Sequence, residues 1–151
     1  MAFNGSFDLT VDEKGRVSIP VRFREQLSRD GHDRLYITNF IFDGARCLEL
    51  YPPNEWAKLI EHFQSKPRFD PERRRFELFY VGGAHEVPVD RQGRILIPPN
   101  LREFAGLGRD VTFRALTDSL QLWDKPALEQ VLRATEERIE KEPQFLQKLG
   151  L

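Results

Sequence analysis

Near its start the chain alternates apolar and polar residues: Phe7, Leu9 and Val11 against Asp8, Thr10 and Asp12. A period of two is the mark of a strand with one buried face. Val17 and Ile19 resume the alternation after Glu13-Lys14-Gly15. A three-residue loop ending in glycine joins hairpin strands through a type I turn and a left-handed residue, and glycine suits that last place because a Cβ is penalised there. The pattern therefore predicts a hairpin in which Asp12 and Arg16 flank the loop and face each other across the strands. Pro20 ends the pairing and suits the first turn of a short helix carrying Phe23 and Leu27.

The same text occurs again. Residues 9–25 read LTVDEKGRVSIPVRFRE and residues 87–103 read VPVDRQGRILIPPNLRE, so that Asp12 matches Asp90, Gly15 matches Gly93, Arg16 matches Arg94 and Arg24-Glu25 matches Arg102-Glu103. A second block follows in the same order, Leu48-Glu49-Leu50-Tyr51 against Leu120-Gln121-Leu122-Trp123. Two blocks in register indicate a tandem duplication. A lone short hairpin buries too little surface to stand by itself, so the halves are expected to complete one shared core. The second short helix carries Leu101, Phe104 and Ala105 and stops at Gly106 and Gly108.

Further strands are expected at Leu35-Tyr36-Ile37-Thr38, leading through a Phe-rich stretch to Cys47-Leu48-Glu49-Leu50-Tyr51, and at Val111-Thr112-Phe113. Helices follow. Trp56, Leu59, Ile60 and Phe63 share one helical face. Asp70-Pro71 starts a helix with Phe76, Phe79 and Tyr80 on one side, stopped by Gly82-Gly83 and linking the halves. Asp124 with Pro126 predicts an N-cap for a last helix carrying Leu128, Val131 and Leu132 and running to Glu142. The expected class is α+β, with repeats over 5–53 and 84–127, a helical linker over 54–83 and a C-terminal helix over 128–151 packed outside. Leu96, where the first repeat has Ser18, puts an apolar residue on an outward face and reads as a subunit contact or a helix-covered face.

Composition narrows the function. With 40% hydrophobic and 31% charged residues among 151, and 12 Phe, the chain is globular and can build a core. One cysteine excludes a disulfide framework and a cysteine-cluster zinc site. Lys+Arg 23 against Asp+Glu 24 gives a net charge of -1, so an anionic partner has to be met by a local patch. The Met-Ala-Phe-Asn-Gly-Ser start has no signal-peptide pattern. No apolar run reaches the ~20 residues of a membrane span. An unpaired Cys47 suits a reducing compartment, so a cytoplasmic address is expected.

The Asp-x-x-x-Arg pair is the sharpest candidate. Its plain reading is a cross-strand ion pair closing a turn, worth about 0.2–1 kcal/mol. Its functional reading is that Asp12 and Asp90 hold the Arg16 and Arg94 guanidiniums ready for phosphate or a guanine edge. Lys14 and Arg91 add charge at the loop tips. Asp12 and Asp90 together do not make a catalytic dyad, because each has its own arginine to keep it ionised. The run Lys66-Pro67-Arg68 to Arg73-Arg74-Arg75 is read as the solvated face of a helix. His32, His62 and His85 have no metal-ligand spacing, and no phosphate loop or catalytic triad motif is present, so neither an enzyme, nor a cofactor, nor a metal, nor a small-molecule substrate is expected.

The doubled Asp12-Glu13-Lys14-Gly15-Arg16-Val17-Ser18-Ile19-Pro20 and Asp90-Arg91-Gln92-Gly93-Arg94-Ile95-Leu96-Ile97-Pro98, with Gly83-Ala84-His85-Glu86 and Leu101-Arg102-Glu103-Phe104-Ala105-Gly106-Leu107, resembles the MraZ family of bacterial transcriptional regulators associated with the division and cell-wall gene cluster. The resemblance spans roughly residues 3–130. It implies two AbrB-like swapped-hairpin halves of a double-split β-barrel, a ring-shaped homo-oligomer, and binding to short direct repeats in promoter DNA. It also implies a nucleoid-associated place in the cytoplasm. It maps the family's Asp-x-x-x-Arg residues onto Asp12, Arg16, Asp90 and Arg94, with Lys14 also matching; with Arg91 at its own loop tip, the expected DNA-facing residues are Lys14, Arg16, Arg91 and Arg94, oriented by Asp12 and Asp90 on loops turned by Gly15 and Gly93. Asn4 stands where the family pattern leads one to expect a basic residue, Gln92 stands opposite Lys14, and Ala115 replaces a usual glycine. Two readings stand side by side: a sequence-specific DNA binder, and an oligomeric structural or protein-interaction module with only weak, sequence-blind DNA binding.

Overall fold

The computed structural model describes residues 2–151, an α+β chain in which an antiparallel sheet separates a closed core from a layer of helices. In order, the chain forms β1 (Ser6–Thr10), β2 (Arg16–Ser18), α1 (Val21–Arg29), β3 (Arg34–Phe42), β4 (Ala45–Tyr51), α2 (Pro53–Gln64), α3 (Pro71–Tyr80), β5 (His85–Pro88), β6 (Arg94–Leu96), α4 (Pro99–Phe104), β7 (Asp110–Ala115), β8 (Leu120–Asp124), α5 (Lys125–Lys141) and a 3-10 helix (Pro143–Leu149). No helix among the described residues is long and apolar enough to cross a membrane.

The local hairpin read from the alternation is corrected at one point: β1 and β2 do not form a ladder with each other. β1 pairs with β7, placing Leu9 opposite Val111, and β2 pairs with β6. The second half does the reverse, with β5 on β3 placing Val87 opposite Leu35. The reason is burial. Val17, Ile19, Ile95 and Ile97 lie at 4% exposure or less in one cluster with Leu35, Ile37, Leu48, Leu50, Val111, Phe113, Leu120 and Leu122. Neither three-residue strand has enough apolar surface for such a core by itself.

The registers reveal the symmetry. In the β2–β6 ribbon Val17 lies opposite Ile95, its own repeat counterpart, while Arg16 faces Leu96 and Ser18 faces Arg94. In the β4–β8 pair Glu49 lies opposite its counterpart Gln121. Counterparts that pair with each other are the signature of a two-fold axis. The sheet order β1-β7-β8-β4-β3-β5 accordingly reads the same when the halves are exchanged.

The Phe-rich stretch is itself strand. β3 runs to Phe42 and turns into β4 through Asp43-Gly44, both at positive φ, 49° and 78°, the geometry of a tight hairpin turn. On the sheet face away from the core, Tyr51, Trp56 and Tyr80 join α2 and α3 to the strands. Thr38 Oγ1 donates to the Tyr80 carbonyl at 2.5 Å. Leu128 brings α5 onto Cys47 and Trp123 beside them. Burial, with the nearby charge of Glu49 adding to it, pushes the Cys47 thiol well above its ordinary pKa, so it stays protonated. Glu49 sits between the two helical patches. It accepts hydrogen bonds from the hydroxyls of Tyr51 and Tyr80 and, at 2.7 Å, from Gln121 Nε2, so this buried carboxylate is satisfied.

Two capping expectations part ways. Asp70 caps α3 by accepting from Glu72 N at 2.9 Å. Asp124 stands at the cap position of α5, but its carboxylate takes the Gly108 amide at 3.0 Å, tying the α4–β7 loop to the helix start instead.

Because each half adds a strand to the other's part of the sheet and the two share the central ribbon, unfolding is expected to be a single transition. Trp56 and Trp123 lie in different helical patches, so tryptophan fluorescence and far-ultraviolet circular dichroism should give one coincident urea midpoint. Ile95→Ala, at 1% exposure on the axis, should cost about 2–5 kcal/mol and keep that coincidence.

Candidate nucleic-acid interface

The two turns are near copies. Asp12 N donates to the Arg16 carbonyl at 2.9 Å and Gly15 N to the Asp12 carbonyl at 3.0 Å; Asp90, Arg94 and Gly93 repeat both distances. Gly15 and Gly93 hold φ of 84° and 76°, the left-handed conformation for which glycine is selected. Asp12 Oδ1 accepts the Lys14 and Arg16 amides, each at 2.9 Å, and Asp90 Oδ1 accepts those of Gln92 and Arg94 at the same distance. The other oxygen meets the arginine Nε, at 2.8 Å for Asp12–Arg16 and 3.1 Å for Asp90–Arg94. The carboxylate thus shapes the turn and points the guanidinium at once. The arginine backbone amide first, with its side chain and the next loop amide, holds each Asp below the ordinary carboxylate pKa.

The ribbon brings the turns together. Val17 and Ile95 face the core, so Arg16, Ser18, Arg94 and Leu96 share its outer face. Arg16 and Arg94 are diagonal neighbours there, about 7–8 Å apart at the backbone. Their side chains keep 32% and 29% of their surface exposed. Lys14 and Arg91 lie exposed at the tips. Leu96 lies exposed between the arginines rather than under a helix.

Two further arginines belong to the site. Arg24 on α1 donates through Nη2 to the Arg91 carbonyl at 2.7 Å and packs on Gly93, where an added Cβ would meet its Nη1 at 2.7 Å. Arg102 on α4 approaches Gly15 in the same way, at 3.5 Å. Ile19 N donates to the Gly93 carbonyl and Ile97 N to that of Gly15, at 2.9 and 3.0 Å. Each loop is therefore braced by the opposite half. The signal for these arginines was their recurrence in the repeat. Beside the first loop, Asp12, Glu13, Arg102 and Arg109 line an open cleft of about 560 Å³. The turns differ in one respect: Gln92 Oε1 accepts from Arg94 Nη2 at 2.6 Å, whereas the Arg16 Nη groups make no hydrogen bond among the described residues. No cluster of three metal-ligating side chains occurs among the described residues.

An internally duplicated α+β chain that shows two Asp-braced arginines on one shared ribbon is a distinct class of protein. The MraZ protein family model matches it twice, over residues 2–79 and 80–148. Proteins called transcriptional regulator MraZ are similar along most of their length. The one from Acetivibrio thermocellus is 42% identical over 82% of this chain and 81% of its own. The one from Syntrophobacter fumaroxidans is 35% identical over 99% and 97%, and the one from Anaeromyxobacter sp. strain Fw109-5 is 37% identical over 84% and 86%. The chain belongs to the MraZ family.

Two outcomes follow from this geometry. Asp12 and Asp90 should titrate by carbon-13 NMR below the unperturbed value of about 4. A lowered folded-state value means that their stabilisation is complete above that pH and fades as the pH falls through the folded value; Asp12→Asn with Asp90→Asn should flatten this acid limb in thermal melts. Gly15→Ala should cost about 1–2 kcal/mol for the left-handed backbone, and Gly93→Ala more, since Arg24 must also be displaced.

Proposed function

We propose that this chain is a transcription regulator that binds DNA sequence-specifically through the ribbon, and not an enzyme. The observation that carries the reading is that Arg16 and Arg94 lie on one half-exposed face, each held at Nε by its own carboxylate, with the Arg16 Nη groups unbonded among the described residues and Arg94 Nη2 held by Gln92. A guanidinium fixed in pose can meet a guanine edge or phosphates in a way a free side chain cannot. Lys14 and Arg91 supply phosphate contacts, which position without specifying. The relatives' name, transcriptional regulator MraZ, supports the same reading.

In this reading the repeats over 5–53 and 84–127 are AbrB-like swapped-hairpin units, and the helices over 54–83 and 128–151 are their outer layer. One ribbon grips few phosphates. A ring-shaped homo-oligomer that repeats it along short direct repeats upstream of the division and cell-wall genes would gain affinity through multivalency. This reconciles a near-neutral chain with an anionic ligand, and it implies a cytoplasmic, nucleoid-associated protein.

One observation favours the rival, an oligomeric interaction module: each Asp oxygen is already engaged within its own turn. The two readings part on arginine removal. Arg16→Ala and Arg94→Ala should each cost about 1–3 kcal/mol in binding the gene's upstream DNA over a scrambled duplex. This is read by fluorescence anisotropy at matched salt, with the oligomer intact by light scattering. Undiminished discrimination by the double variant sinks the proposal.

A further inference from the structure

The run from Lys66 to Arg75 is not the uniform solvated helix face its sequence suggests. Lys66 to Asp70 lies in the turn between α2 and α3, and only Arg73, Arg74 and Arg75 are helical. The arginines fold back on that turn. Arg73 Nη1 donates to the Lys66 carbonyl at 2.5 Å and Arg74 Nε to the Arg68 carbonyl at 3.0 Å. With its carbonyls drawn inward, the turn presents its side chains outward. Phe69 is 77% exposed, with the guanidinium carbons of Arg68 and Arg74 at 5.9 and 4.9 Å from its ring centre. Beside it lies an open polar depression of about 590 Å³ lined by Gln64, Lys66, Arg68, Arg73, Arg74 and Glu77.

The nearby acids are engaged. Glu77 pairs with Arg73 at 2.5 Å, Glu72 lies 3.7 Å from Arg75, and Asp70 caps α3. Lys66, Arg68 and Arg74 have no carboxylate within 4.0 Å among the described residues. Two guanidiniums without a carboxylate partner therefore flank one exposed ring on a braced turn, and Lys66 shares the adjoining depression with them.

We propose that this tip is a second anion site, built for the phosphodiester backbone of nucleic acid. The chemistry fits: guanidiniums and an ammonium for phosphates, and a ring with flanking guanidiniums on which an unpaired base can stack. A bilayer fits less well, because the apolar face of α2, with Trp56, Leu59, Ile60 and Phe63, is turned inward on the sheet. Placement makes the site separate from the first. The ribbon closes the core on one sheet face, through Val17 and Ile95, whereas α2 and α3 pack on the other through Tyr36, Tyr51 and Thr38. α2 alone carries the tip about 18 Å from its start on β4. A strand held at the tip is thus a different stretch from one held by the ribbon of the same subunit.

The test uses the full chain carrying Arg16→Ala and Arg94→Ala, with and without Lys66→Ala, Arg68→Ala and Arg74→Ala. Fluorescein-labelled duplex and single strand of one scrambled sequence are titrated by anisotropy across a salt series. The tip substitutions should lower the slope of log K against log salt by about 2.7 for the duplex and about 2 for the single strand, as for three phosphates. Phe69→Ala should weaken the single strand roughly tenfold and the duplex little. Lys66→Gln with Arg68→Gln, which leaves Arg74 bracing the turn, should move the slope the same way with an unchanged melting midpoint. Slopes that ignore every tip substitution overturn the site, as does a tip effect confined to phosphatidylserine-rich vesicles. If the ribbon is not the primary site, Arg16→Ala and Arg94→Ala leave upstream-DNA binding intact while the tip comparison still reads out.

Discussion

Neither repeat can bury its own apolar face, and most of the architecture follows from that. Each contributes a short arm whose inner residues, Val17 in one and Ile95 in the other, reach the core only by lying against the opposite arm. The outer strands make the same exchange, β1 onto β7 and β5 onto β3. With both edges and the central ribbon supplied reciprocally, the two charged turns cannot drift apart. Their spacing is set by ladder hydrogen bonds and core packing, not by flexible loops. This is the rigidity a recognition surface needs when its contacts are few.

At the turns themselves, one carboxylate serves two ends. Asp12 and Asp90 take loop amides that would otherwise face water and hold the arginine Nε with the remaining oxygen. Fold and display are therefore not separable at these positions. A change that frees the guanidinium also loosens the turn, and the bracing arginines Arg24 and Arg102 extend that coupling across the halves.

Much of this was legible in the residues, and all but one of the failures share a cause. The repeat, the glycine turns and the Asp–Arg pairs are written in local spacing, and so are the helices after Pro20, Pro52, Asp70 and Pro98. Strand partnership is not local, so alternation alone put β1 on β2. Arg24 recurs in the repeat, but its role is hidden because the carbonyl it holds is 67 residues away. Asp124 misled because the Gly108 amide competes for its carboxylate. The Phe-rich stretch was different: Asp43-Gly44, a hairpin signal in its own right, was there to be read. The basic run is plain in the sequence, but Arg73 and Arg74 curl onto the turn through contacts with the Lys66 and Arg68 carbonyls that helical spacing does not encode.

The axis through Val17 and Ile95 runs within one covalent chain rather than between two identical ones. In a dimer of identical subunits every substitution is made twice, and the two sides that the dyad relates stay identical. Fusion lifts that restriction. Gln92 stands where the first copy has Lys14 and occupies Arg94 Nη2, while the Arg16 Nη groups are unbonded among the described residues, and Leu96 stands where the first copy has Ser18. A two-fold pairing has thereby become an asymmetric surface, in which exposed positions differ between the copies while the buried pairing that joins them is kept.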